Sequence, residues 1–209
     1  MDGYNADPFL DPHEMARTLI HDNTGVWYDR KDVKQTGFGI IYGMGVPGLA
    51  QQLGRPHSEA YTLREAYFKA MPAAAQLASS TRDRGRSGGA VTTWGGRRYI
   101  VEPPKVVQGK MRTFEYKLLN YLIQGSAGDQ TKQVVCDWWD SKHPETLFTS
   151  TIHDEINASV PEDMVMEEMA ALRNSMDQRL FDVPMRSEGE IGPNWGNLTK
   201  MTREQDYGL

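Results

Sequence analysis

One cysteine, Cys136, is all the chain contains, so no internal disulfide can staple it. A lone thiol of this kind is read as a small buried hydrophobe in a reducing, cytoplasmic setting. No apolar run is long enough to span a bilayer, which excludes a membrane-spanning helix. The start, Met1-Asp2-Gly3-Tyr4-Asn5, lacks the basic region and apolar core of a secretory signal. Internal repeats and low-complexity tracts are missing as well. Net positive charge is also missing: the total is −5, which at face value argues against a nucleic-acid partner. The distribution argues otherwise. Residues 82–117 hold nine cations against three carboxylates, a net +6, so the remainder carries −11. A basic centre between acidic ends suits contact with a phosphate backbone over a limited surface. With 209 residues there is enough chain for one or two small domains with a real core.

The most informative stretch runs from Asp29 to Gly43. Arg30, Lys34, Phe38 and Tyr42 recur every four residues. On a helix each step of four drifts by only about 40°, so two cations and then two rings share one slowly turning stripe about 18 Å long. A nucleoside triphosphate has the same polarity, with phosphates at one end and a flat base at the other. Arg can grip phosphate oxygens through a bidentate fork, Lys adds a point charge, and an aromatic ring offers a stacking face. Spacing alone favours an ordinary amphipathic helix with two core rings and a solvated basic end. Gly37 and Gly39 tip the reading, because glycine inside a helix costs about 1 kcal/mol relative to alanine. They are expected to clear side-chain bulk beside Phe38 for a flat ligand.

The pattern Arg-x3-Lys-x3-Phe-Gly-x2-Tyr-Gly resembles motif B, the fingers helix of family A DNA polymerases, the bacterial DNA polymerase I type. Read in order, further segments are similar to that family. A helix is predicted from Asp11-Pro12, where Asp caps and Pro is favourable at the first position. Asp11-Pro12-His13 resembles the Asp-x-His segment ahead of the fingers helix, which implies that His13 contacts the triphosphate. The fingers helix is expected over about Tyr28 to Tyr42. A short helix over Leu49–Leu53 ends at Gly54. A longer one opens at Pro56-His57-Ser58 with Ser58 as its cap, buries Tyr61, Ala66, Tyr67 and Phe68, and is broken or kinked by Pro72. Strand formers around Gly95-Gly96 predict a hairpin. There Gly96-Arg97-Arg98 resembles the family's Gly-Arg-Arg segment, which implies that Arg97 and Arg98 face DNA.

Phe114–Trp139 has the spacing of a long helix. Within it, Asn120-x3-Gln124-Gly125-Ser126-Ala127-x-Asp129 resembles the segment in which Asn120 and Gln124 check base-pair shape in the minor groove. Two strands, Leu147–Ile152 and Ile156–Val160, flank His153-Asp154-Glu155. In sequence order this matches motif C. The resemblance implies Asp154 as a metal ligand, Glu155 as a lesser carboxylate and His153 as a structural or primer-side group. Pro161–Phe181 is predicted as a helix burying Met164, Met166, Met169, Leu172, Met176 and Leu180. A strand over Pro184–Ile191 closes the sheet. Gly192-Pro193-Asn194-Trp195 resembles the family's C-terminal signature, and residues 198–209 read as a loose polar tail.

The expected fold class is α+β, with an irregular lead over 1–12, a helical fingers subdomain over 13–112 and the C-terminal part of a palm with a small antiparallel sheet over 113–197. The implied reaction is transfer of a nucleotide from a dNTP to a primer 3′-hydroxyl on template DNA. Arg30, Lys34, Asp154 and Glu155 are the catalytic candidates, and two Mg²⁺ ions are the implied cofactor. His13, Arg30, Lys34, Phe38 and Tyr42 would bind the nucleotide. No Asp-Tyr-Ser-x2-Glu-type motif A strand occurs in the sequence. That gap implies one half of a split polymerase, from a bacterium or phage, completed by a second fragment carrying motif A and the thumb. The alternatives are a non-catalytic DNA- or dNTP-binding remnant, or a fragment of a single-subunit RNA polymerase.

Overall fold

A computed structural model describes residues 6–7, 9–177 and 182–202. Contacts sort the chain into two compact units, Asp11–Ser126 in one and Met1–Leu10 with Ala127–Leu209 in the other. The class is mixed helix and small antiparallel pairs, the expected α+β arrangement. No helix among the described residues is long and apolar enough to cross a membrane.

The unit Asp11–Ser126 starts with helix α1 (Pro12–Thr24). Asp11 holds extended backbone, and its carboxylate accepts from the His13 and Glu14 amides. The helix stops at Gly25, whose φ of 72° suits a residue without Cβ. Helix α2 (Arg30–Ile41) follows, shorter at both ends than the sequence suggests. Gly43, at φ 69°, ends it, and the Met44 amide reaches back to the Gly39 carbonyl at 2.7 Å. Helices α3 (Val46–Leu53), α4 (His57–Ala70) and α5 (Pro72–Arg86) complete the helical layer. Pro72 breaks the helical run as expected: α4 ends at Ala70 and Pro72 opens α5, where proline is tolerated in a first turn.

The core joins Ala16 and Ile20 of α1, Val33 of α2, and Leu63 and Ala66 of α4, with Tyr28, Leu53 and Tyr67 packed around them. Fully burying Ile20, Val33 and Leu63 is worth about 1.5–3 kcal/mol each, so these contacts fix how α1, α2 and α4 sit together. Two expectations for α4 are corrected. Its cap position is Pro56 and Ser58 makes no cap bond. Tyr61 is exposed, because Ala60, Leu63 and Ala66 form the buried face.

Two hairpins follow α5. The predicted one pairs β1 (Val91–Thr92) with β2 (Arg98–Tyr99). The second pairs β3 (Lys105–Val107) with β4 (Lys110–Arg112) and was not anticipated. Helix α6 (Lys117–Trp139) then starts in this unit and ends in the other. Gly125 on α6 lets the first hairpin approach, since a Cβ there would lie 2.7 Å from Thr93 Cγ2.

In the unit containing Ala127–Leu209, β5 (Leu147–Ile152) pairs with β6 (Glu155–Ser159) around a two-residue turn, His153-Asp154. Glu155 is therefore the first residue of β6 and faces Ile152 across the pair. A 3₁₀ turn (Glu162–Met164) leads into α7 (Val165–Met176). The predicted apolar face is only half-buried at Met164, Met169, Leu172 and Met176, and it is not where burial is deepest. Met166 is exposed, whereas Glu168, Arg173 and Ser175 are buried. Glu168 Oε1 accepts from the His143 amide at 2.6 Å, so a hydrogen bond sets this face of the helix. Leu180 lies outside the described residues. The closing strand is only β7 (Glu190–Ile191), and the supposed loose tail supplies its partner β8 (Thr199–Lys200) and a buried Met201. Cys136 is exposed, contrary to the buried hydrophobe expected.

Candidate functional site

Helix α2 has two unlike sides. Val33, Thr36, Gly37, Gly39 and Ile40 are buried, while Arg30, Lys34, Phe38 and Tyr42 are exposed. The basic-to-aromatic stripe is therefore presented outward, with Phe38 38% and Tyr42 52% accessible. Large rings left this open are uneconomical in a core helix and useful on a binding face. The two glycines serve a different end from the one expected. A Cβ on Gly37 would lie 2.8 Å from the Tyr67 hydroxyl, and one on Gly39 would meet Leu49 and Met44 at ordinary contact distances. Gly37 lets α2 close onto Tyr67, a methyl would fit at Gly39, and both glycines lie on the buried side of the helix.

His13 joins the stripe from α1. Its ring centre lies 5.9 Å from that of Phe38, tilted by 48°. The Lys34 ammonium lies 5.8 Å from the centre of the same ring on α2. Burial holds the His13 imidazole below its ordinary range; Asp11 opposes this, and the charges of Lys34 and Arg30 reinforce it. A neutral imidazole near pH 7 has one N–H to donate and one acceptor nitrogen.

Arg30 is held by Asp11, which accepts from its Nε at 2.8 Å and also from Nη2. Burial raises the Asp11 carboxyl, but the Arg30 hydrogen bond, the Glu14 and His13 amides and the Arg30 charge outweigh it and leave the group below its usual range. Lys34 makes no hydrogen bond or ion pair with any described residue, so its charge is available to an anion.

On α6, Gln124 is exposed and Asn120 half-buried, with Asn120 Nδ2 lacking a partner among the described residues. The two amides do not bond each other. The first hairpin docks beside them: the Trp94 amide donates to Ser126 Oγ at 3.0 Å, and Arg97 Nη2 donates to the Gly125 carbonyl at 3.0 Å. Arg97 thus braces α6, while Arg98 is exposed and makes no ion pair with a described residue.

His153, Asp154 and Glu155 form a separate cluster in the other unit, all exposed at the β5–β6 turn. His153 adopts φ 56°, which tightens the turn. Neither Asp154 nor Glu155 has a hydrogen-bond or ion-pair partner among the described residues. Hard, unengaged oxygen donors of this kind fit a divalent cation of the Mg²⁺ type as part of a ligand set. No group of three or more His, Cys, Asp or Glu side chains that could hold a metal occurs among the described residues.

Sequence reasoning missed Glu102. Its Oε1 accepts from Lys117 Nζ at 2.7 Å and from the Tyr121 hydroxyl at 2.6 Å. Lys117 and then Tyr121, through these hydrogen bonds, hold the carboxyl below its usual range. Only the spacing of Lys117 and Tyr121, one helical turn apart, hinted at a shared partner.

The profile of DNA polymerase family A matches residues 13–197. The chain belongs to DNA polymerase family A. It is 32% identical over 177 residues to DNA polymerase I of Chloroflexus aurantiacus, covering 82% of this chain and 19% of that protein. It is 25% identical over 232 aligned positions to the DNA polymerase DpoZ of Salmonella phage PMBT28, covering 96% of this chain and 35% of that protein. The chain thus spans about a fifth to a third of the length of these family A relatives. Among solved structures it is similar to the POL domain of Pol1 from M. smegmatis, in complex with DNA primer-template and dNTP. That likeness has a TM-score of 0.72 at 26% identity and covers 84% of this chain and 32% of that one.

Proposed function

We propose that this chain supplies the nucleotide-binding helix and one metal-binding carboxylate for template-directed DNA synthesis. The observation that carries the reading is the exposed stripe of α2, with His13 beside it. Residues 13–112 act as fingers and residues 113–197 as the C-terminal part of the palm. Arg30, Lys34 and His13 hold the triphosphate of an incoming dNTP, and Phe38 and Tyr42 pack against its sugar and base. Lys34, which makes no hydrogen bond or ion pair with a described residue, meets the phosphates directly. Arg30 exchanges its carboxylate partner for phosphate oxygens of the same charge. Gln124, Asn120, Arg98 and His153 contact primer–template DNA, and Arg97 orients the hairpin that carries Arg98. The work is done where DNA is copied, in the cytoplasm of a bacterium or an infected host.

Asp154 is the Mg²⁺ ligand, with Glu155 beside it. When bound, Mg²⁺ supplies charge neutralisation for the attacking and leaving oxygens. A clamp of two ions needs more carboxylate than this turn offers, so the remaining ligands come from a further polymerase segment carrying a motif A strand and the thumb. Supplied as a second polypeptide, that segment should complete the site. The test is Mg²⁺-dependent primer extension by the chain alone and with such a fragment. Extension is expected only with the fragment and is abolished by Asp154→Asn, while DNA affinity is retained. Robust extension by the chain alone would remove the need for a complementing segment. Normal extension by Asp154→Asn would remove Asp154 from the site. DNA and dNTP binding without extension in any combination would mark a non-catalytic binding module.

A further inference from the structure

The β3–β4 hairpin contributes no residue to the buried core described above. All eight residues from Lys105 to Arg112 are exposed, with Val106 and Met111 both 67% accessible. An isolated two-stranded hairpin is marginal in water. Its tip adds strain, since Gln108 has φ 50° and Gly109 has φ 73°, and only the glycine adopts such a conformation freely.

The molecule nevertheless holds this hairpin in place. Pro103 and Pro104 stiffen the strand leading in. Glu102, just before them, is tied to Lys117 and Tyr121, just after the returning strand. The base of the hairpin is therefore pinned from both sides by one carboxylate. Lys117 also lies 4.7 Å over the Phe114 ring, which rigidifies the exit.

The pairing register sorts the side chains. Lys105 faces Arg112, Val106 faces Met111, and Val107 faces Lys110. Paired residues point to the same side of an antiparallel ribbon, and successive ones alternate. One face thus carries Lys105, Arg112, Lys110 and Val107, and the other carries Val106 and Met111. No acidic residue lies on either strand or in the turn. Lys105, Lys110 and Arg112 make no ion pair with any described residue. The nearest carboxylate in sequence, Glu102, is already committed to Lys117.

We propose that the basic face of this hairpin is a docking surface for the phosphodiester backbone of nucleic acid. The inference rests on the DNA-copying reading above and adds a contact outside the α2, α6 and β5–β6 elements. Three unpaired cations on a pinned ribbon match a repeating anion. A two-stranded ribbon is also narrow enough to follow a DNA groove. The contact is sequence-independent, because Lys and Arg here meet phosphates and not base edges.

The experiment compares the full chain with Lys105→Ala/Lys110→Ala/Arg112→Ala. Binding to a blunt duplex and to a single-stranded oligonucleotide is measured across a salt series. Each lost phosphate contact lowers the slope of log affinity against log salt by about 0.9 on duplex and about 0.7 on single strands. Loss of all three contacts therefore lowers the duplex slope by about 2.7. Between 50 and 200 mM salt the unaltered chain should lose affinity about 40-fold more than the variant. A reduced slope in the duplex arm or in the single-strand arm supports the surface and identifies which backbone it meets.

Val106→Ser/Met111→Ser keeps the cations and should leave both slopes unchanged. Equal slopes for the triple variant and the unaltered chain overturn the proposal while leaving the polymerase reading intact. Weakening by the serine pair alone overturns it in favour of an apolar contact. Failure of the unaltered chain to bind either DNA overturns the proposal, while the DNA-copying reading is decided separately by extension with the complementing fragment. Because the eight residues are exposed, matching thermal unfolding of all three proteins verifies the fold.

Discussion

Asp11 and Arg30, nineteen residues apart, share one carboxylate with the start of α1. Asp11 Oδ1 accepts from the His13 and Glu14 amides at 2.8 and 3.2 Å, and Oδ2 takes the Arg30 guanidinium. The same residue thus starts the helix that carries His13 and parks the first cation of the α2 stripe. The two tasks have different energetic weight. Losing a capping side chain costs about 1 kcal/mol. An ion pair as exposed as this one, with Arg30 47% and Asp11 39% accessible, is worth about 0–1 kcal/mol after solvent screening. Asp11→Ala should therefore destabilise the chain by about 1 kcal/mol in urea unfolding, and Arg30→Ala by clearly less. Triphosphate affinity should show the reverse order, falling further with Arg30→Ala. A larger stability loss for Arg30→Ala would mean that the pair, and not the cap, is what Asp11 is for.

Placed at the triphosphate as proposed, His13 would link nucleotide binding to pH. Its folded pKa is held below the ordinary 6.5, so the folded chain favours the neutral ring. The sign follows: the stability this provides is present above about pH 6.5 and is lost as pH falls toward the folded value. A triphosphate bound there would reverse the local field and raise the same pKa, so binding would take up protons. Nucleotide affinity should rise as pH falls from 7.5 to 6, and His13→Gln should flatten that rise. Calorimetry in buffers of differing ionisation enthalpy measures the proton count directly. Zero uptake at pH 6.5 would place His13 away from the phosphates.

Gly37 is a packing position. A Cβ there would lie 2.8 Å from the Tyr67 hydroxyl and 3.2–3.3 Å from its ring. Overpacking of a tight contact costs about 1–3 kcal/mol, against about 1 kcal/mol gained in helix propensity from glycine to alanine. Gly37→Ala should therefore destabilise by about 1 kcal/mol net in urea unfolding. In a Tyr67→Phe background, which removes the nearest atom, most of that loss should vanish. An unchanged midpoint in both backgrounds would show that α2 and α4 have room to separate.

These cases mark what the sequence could and could not convey. The stripe Arg30, Lys34, Phe38 and Tyr42 was legible because a four-residue period maps directly onto one helix side, and that side is exposed. The His153-Asp154 turn was legible because strand formers flank it closely. What Gly37 avoids was not legible, since Tyr67 arrives from a helix thirty residues later. The buried side of α7 misled for a related reason. Glu168 reads as solvent-facing until its hydrogen bond to the His143 amide is seen. The β3–β4 hairpin was within reach: Val106-Val107, then Gln108-Gly109, then Met111 is a turn between strand formers. The charge count over 82–117 absorbed its cations into a general basic patch.

Phe38 offers the sharpest test of whether the stripe reads a nucleotide. Its ring is 38% exposed, 5.9 Å from the His13 ring centre and 5.8 Å from the Lys34 ammonium. A phenyl ring gives an apolar face and an edge but no hydrogen-bonding group. If it lies beside the sugar of the incoming nucleotide, it cannot replace the polar contact that a missing 3′-hydroxyl would have made. The complemented enzyme should therefore use dideoxynucleotides poorly relative to deoxynucleotides. Phe38→Tyr adds one hydroxyl at the ring edge and can supply that contact, worth about 0.5–1.5 kcal/mol for a neutral hydrogen bond. Discrimination between the two sugars should then fall by about 2- to 13-fold, with little change in kcat/KM for the natural deoxynucleotide. Phe38→Leu keeps apolar bulk without an aromatic face and should weaken both sugars alike. The measurement is the ratio of kcat/KM values for each sugar on one primer–template. Equal use of both sugars by the unaltered enzyme would move Phe38 away from the sugar and leave it as a stacking platform for the base.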